Sequence, residues 1–298
     1  MHSSGSMIKT FCEKVRHYLD DPDIDAKFDD SYLVRYFMSS AMTDVISRVS
    51  MMSDAQVLAQ VDLTVADGTQ FYTLPPAVRQ VIRIGTKDGN GNFIDDFRPR
   101  NEFHRFGPGW SLEGNTIAFR PTPESTTTYS ILYVPSGDVQ AHYGTGAAAG
   151  SLVTSGGTST FTYGATPTIG SADKRPNAYV GCYLRLLGST KTDELIVSSH
   201  TVATRVVTTR TVSTNVTGTF DYEFVPFLLE PVLDAVALSA AMRASVGRKI
   251  PQSQTAALVL SYKQAIKTAY DTLGNMNSRL GKRFDSSDGS GQSRIMFS

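Results

Sequence analysis

Apolar positions along the chain change their period twice, and the two changes divide it into helix, strand and helix. From Met7 to Leu19, the residues Ile8, Phe11, Cys12, Val15, Tyr18 and Leu19 recur at helical intervals and form one stripe. The run stops at Asp20-Asp21-Pro22, because proline disfavours helix in the residue before it. A second helix opens at Asp29-Asp30-Ser31, whose oxygens suit the positive end of a helix. Its stripe is Leu33, Phe37, Ala41, Val45, Val49 and Met52. From Val57 the period becomes two. "QFYTLPPAVRQVIRIGTKDGNGNFIDDF" predicts a strand, a Pro-Pro break, a second strand and a turn at Asp88 to Asn92. "LEGNTIAFRP" predicts a hairpin about Gly114-Asn115, and "TTTYSILYVP" a strand with Tyr129, Ile131 and Tyr133 on one face.

The stretch Gly144 to Ala172, rich in Gly, Ser, Thr and Ala, reads as long loops or an exposed hairpin. Three further strands follow at "AYVGCYLRLL", "ELIVSSH" and "TRVVTTRTV", the first with Val180, Cys182, Leu184 and Leu186 on a shared face. The helical period returns at Phe227. "PFLLEPVLDAVALSAAMRASVGRK" is rich in small residues and is punctuated by Gly247 and Pro251. A last helix from Ser253 carries Leu258, Tyr262, Ala265, Ala269 and Leu273, and reads as ending at Gly274-Asn275.

The fold class is therefore α+β. Residues 7–56 and 226–276 form a helical bundle from both ends of the chain. Residues 57–225 form an inserted antiparallel β-barrel or sandwich region, divisible into modules at 57–138 and 151–225. Residues 277–298 form a flexible tail. The opening Met1 to Met7 lacks the apolar run of a secretory signal, and the folded body is read from Met7.

Composition narrows the function. The chain has 298 residues with 28 basic and 28 acidic side chains, so no global field points to nucleic acid or a membrane surface. No apolar run reaches the roughly 18 residues of a spanning helix. Cys12 and Cys182 are too few and too far apart for a disulfide framework and suit a reducing compartment. "DDPDIDAKFDD" places Asp at loop positions 1, 3 and 5 from Asp21, as a calcium loop needs. Ala26 stands where that loop needs glycine, and Tyr32 where it needs glutamate. "GSTKT" lacks the Gly-Lys-Ser/Thr of a phosphate loop. Cys182 with His200 is the one nucleophile and base pair to consider, yet Cys182 falls on an apolar strand face. His17 and His104 lack partners at zinc spacing, and Asp95-Asp96 reads as turn termination. Pro99 to Phe106 mixes cations and aromatics without the repetition of a nucleic-acid surface. The residues assign no catalytic, cofactor or metal site, and the chain reads as a non-enzyme.

One asymmetry stands out. After Ala241 the chain is basic, with Arg243, Arg248, Lys249, Lys263, Lys267, Arg279, Lys282, Arg283 and Arg294, whereas Asp20 to Asp30 is acidic. The two poles suit either copies packing head against neighbour or ordinary solvated faces. The terminal "GSGQSRIMFS" ends a polar tether with Ile295, Met296 and Phe297, apolar side chains that gain from folding back or from docking into another molecule.

The order of these pieces resembles the head-to-tail adaptor (connector) proteins of tailed bacteriophages. The matching stretches are Phe28 to Val49, Phe71 to Ile84, "AYVGCYLRLLGSTKTDELIVSS" and "FVPFLLEPVLDAVALSAAM". The resemblance implies a homo-oligomeric, dodecameric ring in the neck of the virion, assembled in the host cytoplasm. Its partners would be the portal protein above, a tail or nozzle protein below, and genomic double-stranded DNA passing non-specifically through the channel. No membrane is involved. On this reading Arg294, Ile295, Met296 and Phe297 bind the portal, and Arg279, Lys282 and Arg283 face the channel or a partner. A tail-completion or stopper protein would share the β modules but lack the long helical frame. A carbohydrate-binding or adhesion module would leave helices at both ends without a purpose.

Overall fold

The computed structural model describes residues 5–20, 28–50, 57–88, 93–99, 109–148, 158–187, 192–210, 218–227, 230–248 and 251–285. Helix α1 (Met7–Leu19) starts at Ser6, whose side chain accepts from the Lys9 N–H. It ends at Asp20 in left-handed geometry, where the Asp20 N–H meets the Arg16 and His17 carbonyls. Helix α2 (Asp30–Tyr32) is capped by Asp29, which accepts from the Tyr32 N–H at 2.6 Å. It runs directly into a π-helical stretch, Leu33–Met38, and then α3 (Ser39–Ser50). Most of both stripes is interior: Phe11, Val15, Leu33, Ala41, Val45 and Val49 are shut from solvent, Tyr18 and Phe37 are half-buried, and Met52 lies outside the described residues.

Seven strands form an open sheet: β1 (Ala59–Val65), β2 (Phe71–Thr73), β3 (Val78–Lys87), β4 (Phe93–Pro99), β5 (Gly109–Glu113), β6 (Thr116–Arg120) and β7 (Thr127–Pro135). Their order is β1-β7-β3-β4-β5-β6-β2, antiparallel except for β4 with β5. The Gly114-Asn115 hairpin forms as expected, with Gly114 at φ +64° and Glu113 opposite Thr116. Tyr129, Ile131 and Tyr133 share the buried face with Val61, Ile84, Ile117 and Phe119. Phe119 stacks on Tyr129 at a ring separation of 5.0 Å.

The second β unit comprises β8 (His142–Ala148), β9 (Thr158–Thr162), β10 (Ile169–Gly170), β11 (Tyr183–Leu187), β12 (Thr192–Thr201), β13 (Val206–Arg210) and β14 (Gly218–Val225). The order β8-β14-β11-β12-β13-β9 closes on itself through Ala147 opposite Thr162. The result is a six-strand antiparallel β-barrel, with β10 appended to β8. Phe161, Leu184, Leu186, Val197, Val207, Tyr222 and Phe224 fill it.

Three sequence readings change here. The stretch Gly144 to Ala172 supplies strands β8, β9 and β10. Its small residues are interior spacing, since a Cβ on Gly146 would come within 2.6 Å of the Phe161 ring. Strand β14 was hidden between polar residues and the apolar run that opens α4. In addition, "AYVG" is a turn and not the start of a strand, so Val180 joins the core of the first sheet while Cys182 stays in the barrel.

That turn joins the two β units. Tyr133 Oη donates to the Gly181 carbonyl at 3.0 Å, and Gly181 sits at φ +83°. A Cβ there would overlap the Tyr133 hydroxyl. Gly181→Ala is expected to lower stability by about 2–4 kcal/mol, from left-handed strain plus a displaced buried hydroxyl. Thermal unfolding should also show that Tyr133→Phe removes part of that loss. Strictly additive losses would mean that the close approach is not the cause.

Helix α4 (Leu233–Arg248) packs against α1, α3 and α5 (Gln252–Asp285). It buries Ala235, Val236, Ala237, Leu238, Ser239, Ala240, Ala241 and Ala244, which lie all around its axis, so it has no polar face. Small side chains let three neighbours approach it at once. Helix α5 runs through the expected stop at Gly274-Asn275 as far as Asp285. Glycine inside a helix costs only about 1 kcal/mol, so Gly274 alone does not end it. The stretch expected to begin a flexible tail at 277 is thus helical up to 285.

Candidate interaction site

Three groups of side chains tie the elements together. The first lies where α1 meets the barrel. Glu194, Arg185 and Glu223 stand opposite one another on β12, β11 and β14, facing away from the barrel interior. Strand alternation places them outside, yet Arg185 and Glu223 are fully buried because the start of α1 covers them. Arg185 pairs with Glu223 through Nη1 and with Glu194 through Nε at 3.2 Å. The Glu223 carboxylate also accepts from Ser6 Oγ at 2.6 Å, the Met7 N–H at 3.0 Å and the Ile8 N–H at 3.1 Å. A carboxylate from a strand therefore takes up the unpaired N–H groups of a helix start. Gly5 and Ser6, outside the body read from Met7, belong to this junction. Nearby, Lys9 donates to Tyr143 Oη at 3.0 Å, and that hydroxyl donates to Asp221 at 2.6 Å.

The second group is Asp44 on α3. It accepts from Tyr262 Oη on α5 at 2.6 Å and from Ser239 Oγ on α4 at 3.1 Å, and pairs with Arg48 at 3.0 Å. Burial works to raise its pKa, but the hydrogen bonds from Tyr262, Arg48 and Ser239 prevail and hold it below the usual carboxylate value.

The third group is at the surface. Phe28 stacks on Tyr32 at 5.1 Å, Tyr32 meets Tyr36 at 4.4 Å, and the Arg35 guanidinium lies 5.3 Å from the Tyr36 ring. Tyr32 is 40% exposed and Tyr36 52% exposed. The π-helical stretch adds a residue to the turn; Leu33, Val34 and Met38 point inward while Arg35 and Tyr36 point out. Sequence reasoning followed the Leu33 and Phe37 stripe and missed this shelf. The spacing of Phe28, Tyr32 and Tyr36 at i, i+4 and i+8 is the signal that could have found it.

The chemistry weighed from the sequence resolves plainly. The Cys182 thiol faces the Ala178 carbonyl at 3.7 Å and burial pushes its pKa well up, while His200 Nε2 bonds Tyr163 Oη at 2.9 Å. Each has its own partner, and no nucleophile–base pair forms. Among the described residues no group of three His, Cys, Asp or Glu is placed to hold a metal ion. In the acidic run, Asp29 caps α2 and Asp30 pairs with Arg16 at 2.7 Å. The remainder of that run, 21–27, lies outside the described residues, as do His104 and the side chains of Asp95 and Asp96. Arg294, Ile295, Met296 and Phe297 also lie outside them. Arg279, Lys282 and Arg283 fall on the last turns of α5, their side chains undescribed. No described helix is long and apolar enough to cross a membrane.

Residues 8–142 match the family model described as SU10 adaptor protein, a span from α1 to the first residue of the barrel. The match supports a phage head-tail adaptor protein. A phage adaptor is a structural protein of the virion that interacts with other capsid and tail proteins, and the family suggests a non-enzyme. No curated protein matches the chain.

Proposed function

Starting from the likeness to the SU10 adaptor family over residues 8–142, we propose that the protein is a head-to-tail adaptor subunit that forms a ring beneath the portal. The ring, a dodecamer, extends the DNA channel toward the tail. Residues 7–56 and 226–276 act as the helical frame, 57–225 as the inserted β domain directed at the tail or nozzle protein, and 277–298 as the C-terminal segment. Ile295, Met296 and Phe297, with Arg294, dock into a portal crevice. Burying one such side chain contributes about 1.5–3 kcal/mol, and tethering the copies in one ring adds avidity. The family match is the observation that carries the reading. A formal net charge of zero supports a lumen that DNA passes without sticking, since many phosphate contacts would hold it. Arg279, Lys282 and Arg283 serve either that lumen or an acidic partner surface.

The test is cryo-electron microscopy of the protein mixed with its candidate portal, full-length beside a version ending at Ser293. Rings on the portal that are lost or weakened by the truncation are expected. Rings indifferent to truncation would return the apolar tail to its own subunit, and absence of rings in both samples would overturn the adaptor-ring reading.

A further inference from the structure

The aromatic shelf ends in a cavity of about 570 Å³ lined by Arg35, Tyr36, Gln140, Ser171, Ala172 and Lys174. Three elements meet there: the π-helical stretch, the loop leading into β8, and the loop that follows β10. Two of the lining residues are cations. Among the described residues neither Arg35 nor Lys174 makes an ion pair, whereas Asp173 beneath them is already held by Arg175 at 2.7 Å. The rim is therefore positive and the buried acid below it is neutralised. A further wall residue, Gln140, holds its side-chain oxygen out of solvent without a hydrogen-bond donor. Its backbone N–H is meanwhile engaged by Asp173 at 3.3 Å.

These features specify a ligand. Two unpaired cations ask for a carboxylate or a phosphate. The exposed Tyr32 and Tyr36 rings ask for apolar side chains, and Tyr with Arg is the pairing that dominates protein interfaces. We propose that this cavity and shelf bind an acidic peptide segment of a partner protein. A Glu or Asp carboxylate sits between Arg35 and Lys174, and a neighbouring apolar side chain lies on Tyr32 and Tyr36. The proposal does not depend on the ring reading.

Ala172 lines the cavity, so its methyl group reports occupancy. With ¹³C-methyl alanine labelling, titration with the peptide N-acetyl-Leu-Glu-Leu-Glu-amide is expected to shift the Ala172 signal saturably. The peptide with Gln in place of Glu should bind at least tenfold more weakly. Arg35→Glu with Lys174→Glu should weaken binding of the acidic peptide by at least tenfold. Both side chains are exposed, and an unchanged pattern for the other alanine methyls checks the fold. Inorganic phosphate at the same concentration should not displace the peptide. Equal binding by the charge-reversed variant, displacement by phosphate, or no saturable shift in the wild-type protein would each overturn the proposal.

Discussion

Glu223→Gln is expected to lower the stability of the protein by about 3–5 kcal/mol, the usual effect of removing one partner from a buried ion pair. The change keeps the shape but takes from Arg185, fully buried, the charge of Glu223 that it pairs with. It also weakens acceptance from Ser6, Met7 and Ile8, so the first turn of α1 loses its cap. Urea unfolding should give a lower midpoint, and amide exchange should accelerate in α1 before it does in the barrel. Replacing both ionic partners, Arg185→Met with Glu223→Leu, should recover only part of the loss. Swapping a buried pair for apolar groups is often near neutral, but here the N–H groups of Met7 and Ile8 would remain buried without an acceptor, at about 1–3 kcal/mol each. Full recovery would show that the cap on α1 contributes nothing.

Acid should destabilise the barrel well above the pH at which carboxylates titrate. His142 is completely buried among Tyr163, Tyr179, Tyr222 and Phe224, and burial pushes its pKa down to about 3. His200 is lowered in the same direction, also by burial. The folded chain thus refuses a proton that the unfolded chain accepts below about pH 6.5. Stability is fully present above the unfolded value and declines as pH falls toward 3, by roughly 4–5 kcal/mol in total for His142. Asp44 and Asp173 have pKa values lowered in the fold, so their stabilisation is lost only at lower pH, as pH falls through those depressed values. The window from pH 6.5 to 4.5 therefore belongs to the histidines. His142→Phe should lose most of the slope of urea midpoint against pH in that window, whatever its stability at neutral pH. A variant with the wild-type slope would remove His142 as the cause.

Much of this architecture can be read from the chain, and the parts that cannot share a physical reason. The stripes of α1 and α3 and the Tyr129, Ile131, Tyr133 face are local periodicities, and each buries the face it predicts. Strand β14 has the same period-two signal in Phe220, Tyr222 and Phe224, but it leads straight into the apolar run that opens α4. The glycines of β8 look like loop until Phe161 and Tyr222 are seen filling the space they leave. Arg185 and Glu223 occupy outward strand positions that look solvated, and only the docking of the start of α1, far away in sequence, buries them. The candidate peptide site is illegible for a similar reason. Arg35, Gln140 and Lys174 converge from three segments, and none of these carries a motif.

The junction at Glu223 also has a mechanical consequence. Ser6 Oγ, the Met7 N–H and the Ile8 N–H all end on one carboxylate, which is anchored in a closed barrel. Tension drawn along α1 loads these bonds in parallel, so they must yield together and cannot unzip in turn. Forced unfolding follows the unfolding rate and not the equilibrium free energy, and a clasp that must open all at once slows that rate. A subunit gripped at its first helix would hand the load to the barrel wall before α1 itself unwinds.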